Sequence, residues 1–173
     1  CGGGSEIAMC QWASAFTESA LGVSKTVGDI AGPCAFALLA GSARVLYARM
    51  SDRIRLERFM ALCSVLGIFS YLLAALSPLP VLSLVGCALC GFANGVLWPG
   101  TFSYASKQYQ SGGMALFALL ALAGDLGCTL GPNTVGFVSD LFGGNLRAGM
   151  LGAMIFPAVL LIALAVSREK KTA

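Results

Sequence analysis

Asp125 is the first residue in this sequence whose chemistry needs explaining. It stands in Ala123-Gly124-Asp125-Leu126-Gly127, with apolar residues for two turns before it. An ionised carboxylate at mid-bilayer costs about 2.5–3.5 kcal/mol on insertion scales, so it usually faces a cavity or a partner. Its candidate roles are proton or cation coupling, hydrogen bonding to a polar solute, or partnering a polar group on another helix. Asn94, Trp98 and Thr101 recur at i, i+4 and i+7, which places an amide, an indole and a hydroxyl on one helical face. An amide beside a stacking surface suits a sugar or similar polar organic molecule. Packing plus an interfacial Trp is the plainer alternative. Gln11, Ser14 and Glu18 form a stripe in the first apolar segment, with Glu6 and Trp12 adjacent. That segment should line water, with Glu6 and Glu18 reaching the two interfaces. Asp29 and Lys25, four apart, read as an exposed pair of little energetic weight.

Other chemistries are excluded or thinly supported. The chain has no histidine, which removes the commonest metal ligand and general base. Of seven cysteines, six (Cys10, Cys34, Cys63, Cys87, Cys90 and Cys128) sit in apolar runs and behave as small hydrophobes. Cys87-Ala-Leu-Cys90 is formally a CxxC pair, but its apolar setting argues against redox or metal chemistry. No Ser/His pair, metal set or phosphate-binding loop is present, so neither an enzyme nor a cofactor is expected. A net charge of +3 is too small to imply nucleic acid.

The elements that must hold these residues are membrane helices. Hydrophobic residues make up 57% and charged residues 11% of the 173 residues, and mean hydropathy is +0.82. An average soluble domain is about 45–50% apolar and about 25% charged. A bilayer core about 30 Å thick needs about 20 apolar residues per helix. That ruler gives six spans, at about 4–21, 26–47, 59–76, 80–104, 113–138 and 146–166, the first being the most polar. Short links between them imply antiparallel neighbours in one bundle. Gly28-x3-Gly32, Gly91-x3-Gly95 and Gly127-x3-Gly131 predict close helix contacts. Pro33, Pro99, Pro132 and Pro157 each free a carbonyl within a span and are expected to bend it.

Basic residues set the orientation. Arg49, Arg53, Arg55, Arg58, Lys107, Arg168, Lys170 and Lys171 fall on one side, against Lys25 and Arg147 on the other; Arg44 lies inside the second span. Loops rich in Lys and Arg stay in the cytoplasm, so both ends of this segment are expected there, in a multi-pass protein of the plasma membrane.

The loop after the second span reads Ala48-Arg49-Met50-Ser51-Asp52-Arg53-Ile54-Arg55-Leu56-Glu57-Arg58. It resembles the cytoplasmic signature of the major facilitator superfamily, Gly-x-x-x-Asp-Arg-x-Gly-Arg-Arg. Asp52 and Arg53 match, while Ala48 stands for the first glycine, Arg55 for the second and Leu56 for an arginine. Gln11-Trp12-Ala13-Ser14 and Gly22-Val23-Ser24-Lys25-Thr26-Val27-Gly28-Asp29 look like sugar-permease-type bacterial members, and Gly91-Phe92-Ala93-Asn94-Gly95-Val96-Leu97-Trp98-Pro99 is similar to their tenth helix.

The resemblance implies an all-α membrane protein. Its six transmembrane helices would form the C-terminal half (helices 7–12) of a major facilitator fold, built as two inverted three-helix repeats. Residues 1–173 would then be a piece of a longer transporter whose partner is a missing N-terminal six-helix half. The implied activity is alternating-access transport of a small polar solute, a sugar or another organic metabolite, with proton or sodium as a coupling ion. Gln11, Trp12, Ser14, Asn94, Trp98, Thr101 and Asp125 would line the path, and Asp52, Arg53, Arg55 and Arg58 would form a cytoplasmic gate. The rival expectation is a polytopic membrane enzyme or scaffold that transports nothing.

Overall fold

The structure, a computed structural model, describes residues 1–22, 24–109 and 112–169, without the side chains of residues 19–21 and 168–169. Lys170 and Lys171, expected in the basic tail, lie outside the described residues. Helices in chain order are α1 (Gly2–Leu21), α2 (Lys25–Met50), α3 (Leu56–Leu76), α4 (Pro80–Asn94), α5 (Leu97–Gln108), α6 (Gly113–Leu141), α7 (Leu146–Ala153) and α8 (Ile155–Glu169). α4 runs on into α5, and α7 into α8, so these helices make six segments. Five of the six are long and apolar enough to cross a membrane. The sixth, α1, has 20 residues, enough for about 30 Å at 1.5 Å per residue, and is more polar.

Two of the four prolines interrupt their spans and two do not. The break at Gly95–Val96 lies one turn before Pro99, and the break at Met154 just before Pro157. Proline donates no N–H, so the carbonyl four residues earlier, Gly95 or Ala153, is left without its helical partner. α2 and α6 run through Pro33 and Pro132 as continuous helices.

α1 lies between α2 and α6, α4 touches α1, α2 and α3, and α7 and α8 pack behind on α3. Glycines set these distances. Gly28 and Gly32 admit the backbone of α1 at Ser14 and Ala13, and Gly91 and Gly95 lie against the α2 backbone at Phe36 and Ala40. Gly127 and Gly131 meet Gly4. Van der Waals packing drives helix association in lipid, where no hydrophobic effect separates helix from solvent. Polar ties reinforce it: the Tyr71 hydroxyl donates to the Ser5 carbonyl at 2.7 Å. Arg147 donates to the Ala75 and Ser77 carbonyls at the C-terminal end of α3.

The outer surface has two characters. On α3 and α8 the exposed large residues are Leu62, Val65, Phe69, Leu76, Ile155, Val159, Ile162 and Val166, suited to lipid. On α1, α2 and α6 the exposed residues include Gln11, Glu18, Asp29, Arg44, Asp125, Thr129, Asn133 and Asp140, interspersed on α2 and α6 with large apolar ones such as Ile30, Leu38, Leu126 and Phe137.

Candidate solute path and cytoplasmic gate

Asp125 sits on the exposed side of α6, one residue after Gly124. Gly124 has no side chain because the Trp98 ring occupies that space. Trp98 packs edge-on against Phe102 with centroids 4.8 Å apart, and Phe102 stacks on Phe117 at 6.2 Å. An indole and a carboxylate therefore share one level of the α5–α6 seam. Among the described residues no cation pairs with Asp125, so the structure holds no helix partner for it.

The expected face of Asn94, Trp98 and Thr101 does not form. Asn94 is 0% exposed, and its Nδ2 donates to the Cys90 carbonyl at 2.9 Å and approaches the Cys90 sulfur at 3.1 Å. The physical reason is the break at Gly95–Val96: the i, i+4, i+7 relation assumes a continuous helix, and this one stops between the first residue and the other two. Thr101 is half-buried, with its hydroxyl on the Leu97 carbonyl at 2.7 Å. Only Trp98 of the three meets the Asp125 level.

On α1, Gln11 is exposed and Ser14 half-buried. Ser14 Oγ donates to Asp29 Oδ1, so Asp29 is joined to α1; no ion pair links it to Lys25 among the described residues. Trp12 packs against Gly136 and donates its indole N–H to the Pro132 carbonyl at 3.0 Å. It ties α1 to α6 and borders an open groove with Asn133, Phe137 and Asp140.

Asp52 and Arg53 lie in the turn between α2 and α3, both exposed. Arg55 pairs with Glu57 at 3.0 Å rather than with Asp52. Arg58 is exposed on the first turn of α3. Tyr47, Ser51, Arg55, Tyr104 and Lys107 border a cavity of about 300 Å³ beside this turn.

The family profile described as Major Facilitator Superfamily matches residues 7–173. The chain belongs to the major facilitator superfamily. No curated protein and no solved structure matches it. Members of this superfamily are transporters rather than enzymes, and this one is a multi-pass membrane protein with a small-molecule substrate.

One contact of this facilitator was not foreseen from the sequence, the pairing of Glu6 with Arg44. Glu6, expected to reach an interface, pairs with Arg44 of α2 at 3.5 Å. Arg44 Nε also donates to the Gly95 carbonyl at 2.7 Å, the one that Pro99 leaves unpaired. The Gly95–Pro99 spacing of four and an arginine inside an apolar run were the available signals. Nothing in local spacing brings Glu6 and Arg44, 38 residues apart, together.

Proposed function

We propose that this chain is the C-terminal six-helix half of a secondary transporter that moves a small polar solute by alternating access. The observation that carries the reading is the set of charged and polar residues exposed among apolar ones on α1, α2 and α6, set against described exposed residues of α3 and α8 that are apolar beyond Arg58 at the start of α3. Charges at bilayer depth belong against water or a protein partner, so the polar surface faces the path and the missing half. Asp125 and Trp98, with Gln11 and Ser14 on α1, are its path residues; Trp12, Asn94 and Thr101 support them from within the bundle. Asp125 serves as the coupling carboxylate, for proton or sodium.

α1–α3 and α4–α8 form the two inverted three-helix units of this half. Both ends are cytoplasmic in a plasma-membrane protein, and Asp52 with Arg53, Arg55 and Arg58 gates the cytoplasmic side. Asp52 has no cation partner among the described residues, which suits a carboxylate that caps or pairs across to the other half in one conformation and releases it in the other. The likeness to sugar-permease-type members favours a sugar or a related organic metabolite. Energised vesicles holding the full-length protein should accumulate one member of a panel of labelled sugars, polyols and organic acids. Vesicles inert to the whole panel under both proton and sodium gradients would overturn the reading.

A further inference from the structure

The cavity beside the α2–α3 turn shares no residue with the proposed path. It measures about 300 Å³, the lower end of small-molecule sites, and three elements meet at it. Tyr47 and Ser51 come from the end of α2, Arg55 and Glu57 from the start of α3, and Tyr104 and Lys107 from the end of α5. Side chains set the sign of its charge. α3 begins here with no side-chain cap hydrogen bond from its N-cap Arg55, and α5 ends here at Gln108. A helix N-terminus carries about +0.5 charge and a C-terminus about −0.5, so the two ends offset each other. Arg55 and Lys107 then stand against Glu57. That carboxylate engages Arg55 Nη2 at 3.0 Å, and a guanidinium has five N–H donors. No carboxylate pairs with Lys107 among the described residues. Lys107 is exposed and the Arg55 side chain is open to solvent too, so an ion reaches both without opening the bundle.

We propose that this cavity binds a phosphate monoester group, held by the Arg55 guanidinium and the Lys107 ammonium. Such a group carries about −1.5 to −2 charge at pH 7 and three strong acceptor oxygens. It therefore meets two cations that arrive from separate elements, where a single carboxylate would neutralise one and leave the other. Arg55 offers a planar edge for parallel N–H···O bonds and Lys107 a point charge on a flexible stem.

Occupancy has a mechanical consequence, and this part rests on the transporter reading above. The bound group ties the α2–α3 turn, proposed as the gate, to α5, whose first turn carries Trp98. A ligand that bridges two elements in one arrangement holds the population there, so a bound phosphate slows the reorientation that uptake requires. A phosphorylated metabolite on the side proposed as cytoplasmic then restrains further entry of solute. The monoester headgroup of phosphatidic acid presents the same chemistry from the adjoining leaflet.

The test uses the full-length protein in phosphatidylcholine nanodiscs, with labelled inorganic phosphate and glucose 6-phosphate as soluble probes. At least one should bind saturably. Lys107→Gln should weaken that binding tenfold or more while the protein stays monodisperse. The double variant Arg55→Gln/Glu57→Gln, which leaves no lone carboxylate at the site, should do the same, and Lys25→Gln at the opposite side should change nothing. Discs of phosphatidylcholine and phosphatidic acid mixed nine to one separate the two sources. Soluble binding that survives in them supports a metabolite; a Lys107-dependent rise in melting temperature, with soluble binding displaced or absent, supports the headgroup. In vesicles, glucose 6-phosphate on the cytoplasmic side, or phosphatidic acid in the bilayer, should slow uptake of the transported solute threefold or more in the parent and not in Lys107→Gln. If no probe binds, or binding survives both Lys107→Gln and the double variant, the inference falls and the transporter reading stands. Binding without any change in uptake overturns the clamp. Vesicles that move no solute at all overturn the transporter reading and leave the binding result in place.

Discussion

The indole of Trp98 lies on Gly124, so closely that a β-carbon there would overlap the ring. The next residue is Asp125, so any displacement of Trp98 is felt at the carboxylate proposed to couple transport. Gly124→Ala should push the indole off α6 and destabilise the seam by about 1–3 kcal/mol, the usual range for overpacking. Tryptophan emission in detergent reports it, with Trp12→Phe in the background to isolate the Trp98 signal. Unchanged emission and melting temperature would show that the two helices sit farther apart.

Gly91 and Gly41 make a matched comparison on facing helices. A β-carbon on Gly91 would strike the Phe36 backbone, whereas one on Gly41 meets nothing within 4 Å. Gly91→Ala should therefore separate α2 from α4 and lower the yield of monodisperse protein. Gly41→Ala should leave it unchanged, or improve it by up to about 1 kcal/mol through helix propensity. Size-exclusion profiles of the two variants, read side by side, decide the point.

The six segments were legible because apolar length is a property of composition: each expected span lies within a few residues of its helices. The glycine pairs were legible too, since a missing side chain permits only close approach. Asn94 was misplaced because a proline four residues beyond Gly95 ends one helix and starts another, and periodicity does not survive that break. The contact between Glu6 and Arg44 was not legible because it depends on α1 lying beside α2. That arrangement follows from Gly28 and Gly32 admitting α1, not from any spacing around either charge.

Cysteine accessibility tests which surface is wet. Cys10 is exposed on α1, beside Gln11, while Cys63, Cys87 and Cys90 are buried. A membrane-impermeant thiol reagent should modify Cys10 in the full-length protein, since the thiolate reacts only where water reaches it. The three buried thiols should stay unmodified until the protein is denatured. Labelling of Cys63 before Cys10, measured by mass spectrometry, would reverse the assignment of faces.

At the cytoplasmic turn, two carboxylates should behave differently. Glu57, whose own side chain is 12% exposed, pairs with an Arg55 side chain that is 67% exposed, and pairs with a partner open to solvent contribute about 0–1 kcal/mol. Glu57→Gln should shift the melting temperature little and leave uptake within about twofold. Asp52 has no cation partner among the described residues, and a gating contact with the other half is the role proposed for it. Asp52→Asn should slow turnover several-fold at unchanged stability, because the contact exists in only one of the alternating states. Equal effects of the two variants on uptake rates would remove Asp52 from the gate.

Asp125→Asn separates a coupling role from a structural one. Asparagine keeps the size and hydrogen-bonding capacity of the side chain but cannot bind or release a proton. Since no residue described here pairs with the carboxylate, its loss removes no helix contact, and expression and thermal stability should match the parent. Uptake driven by an ion gradient should fall at least tenfold, while solute exchange with equal concentrations on both sides persists. The reason is that exchange needs only the path to reorient with solute bound, whereas accumulation needs a group that carries the ion across. Gradient-driven uptake that survives Asp125→Asn at every pH would leave the carboxylate with packing alone to explain it.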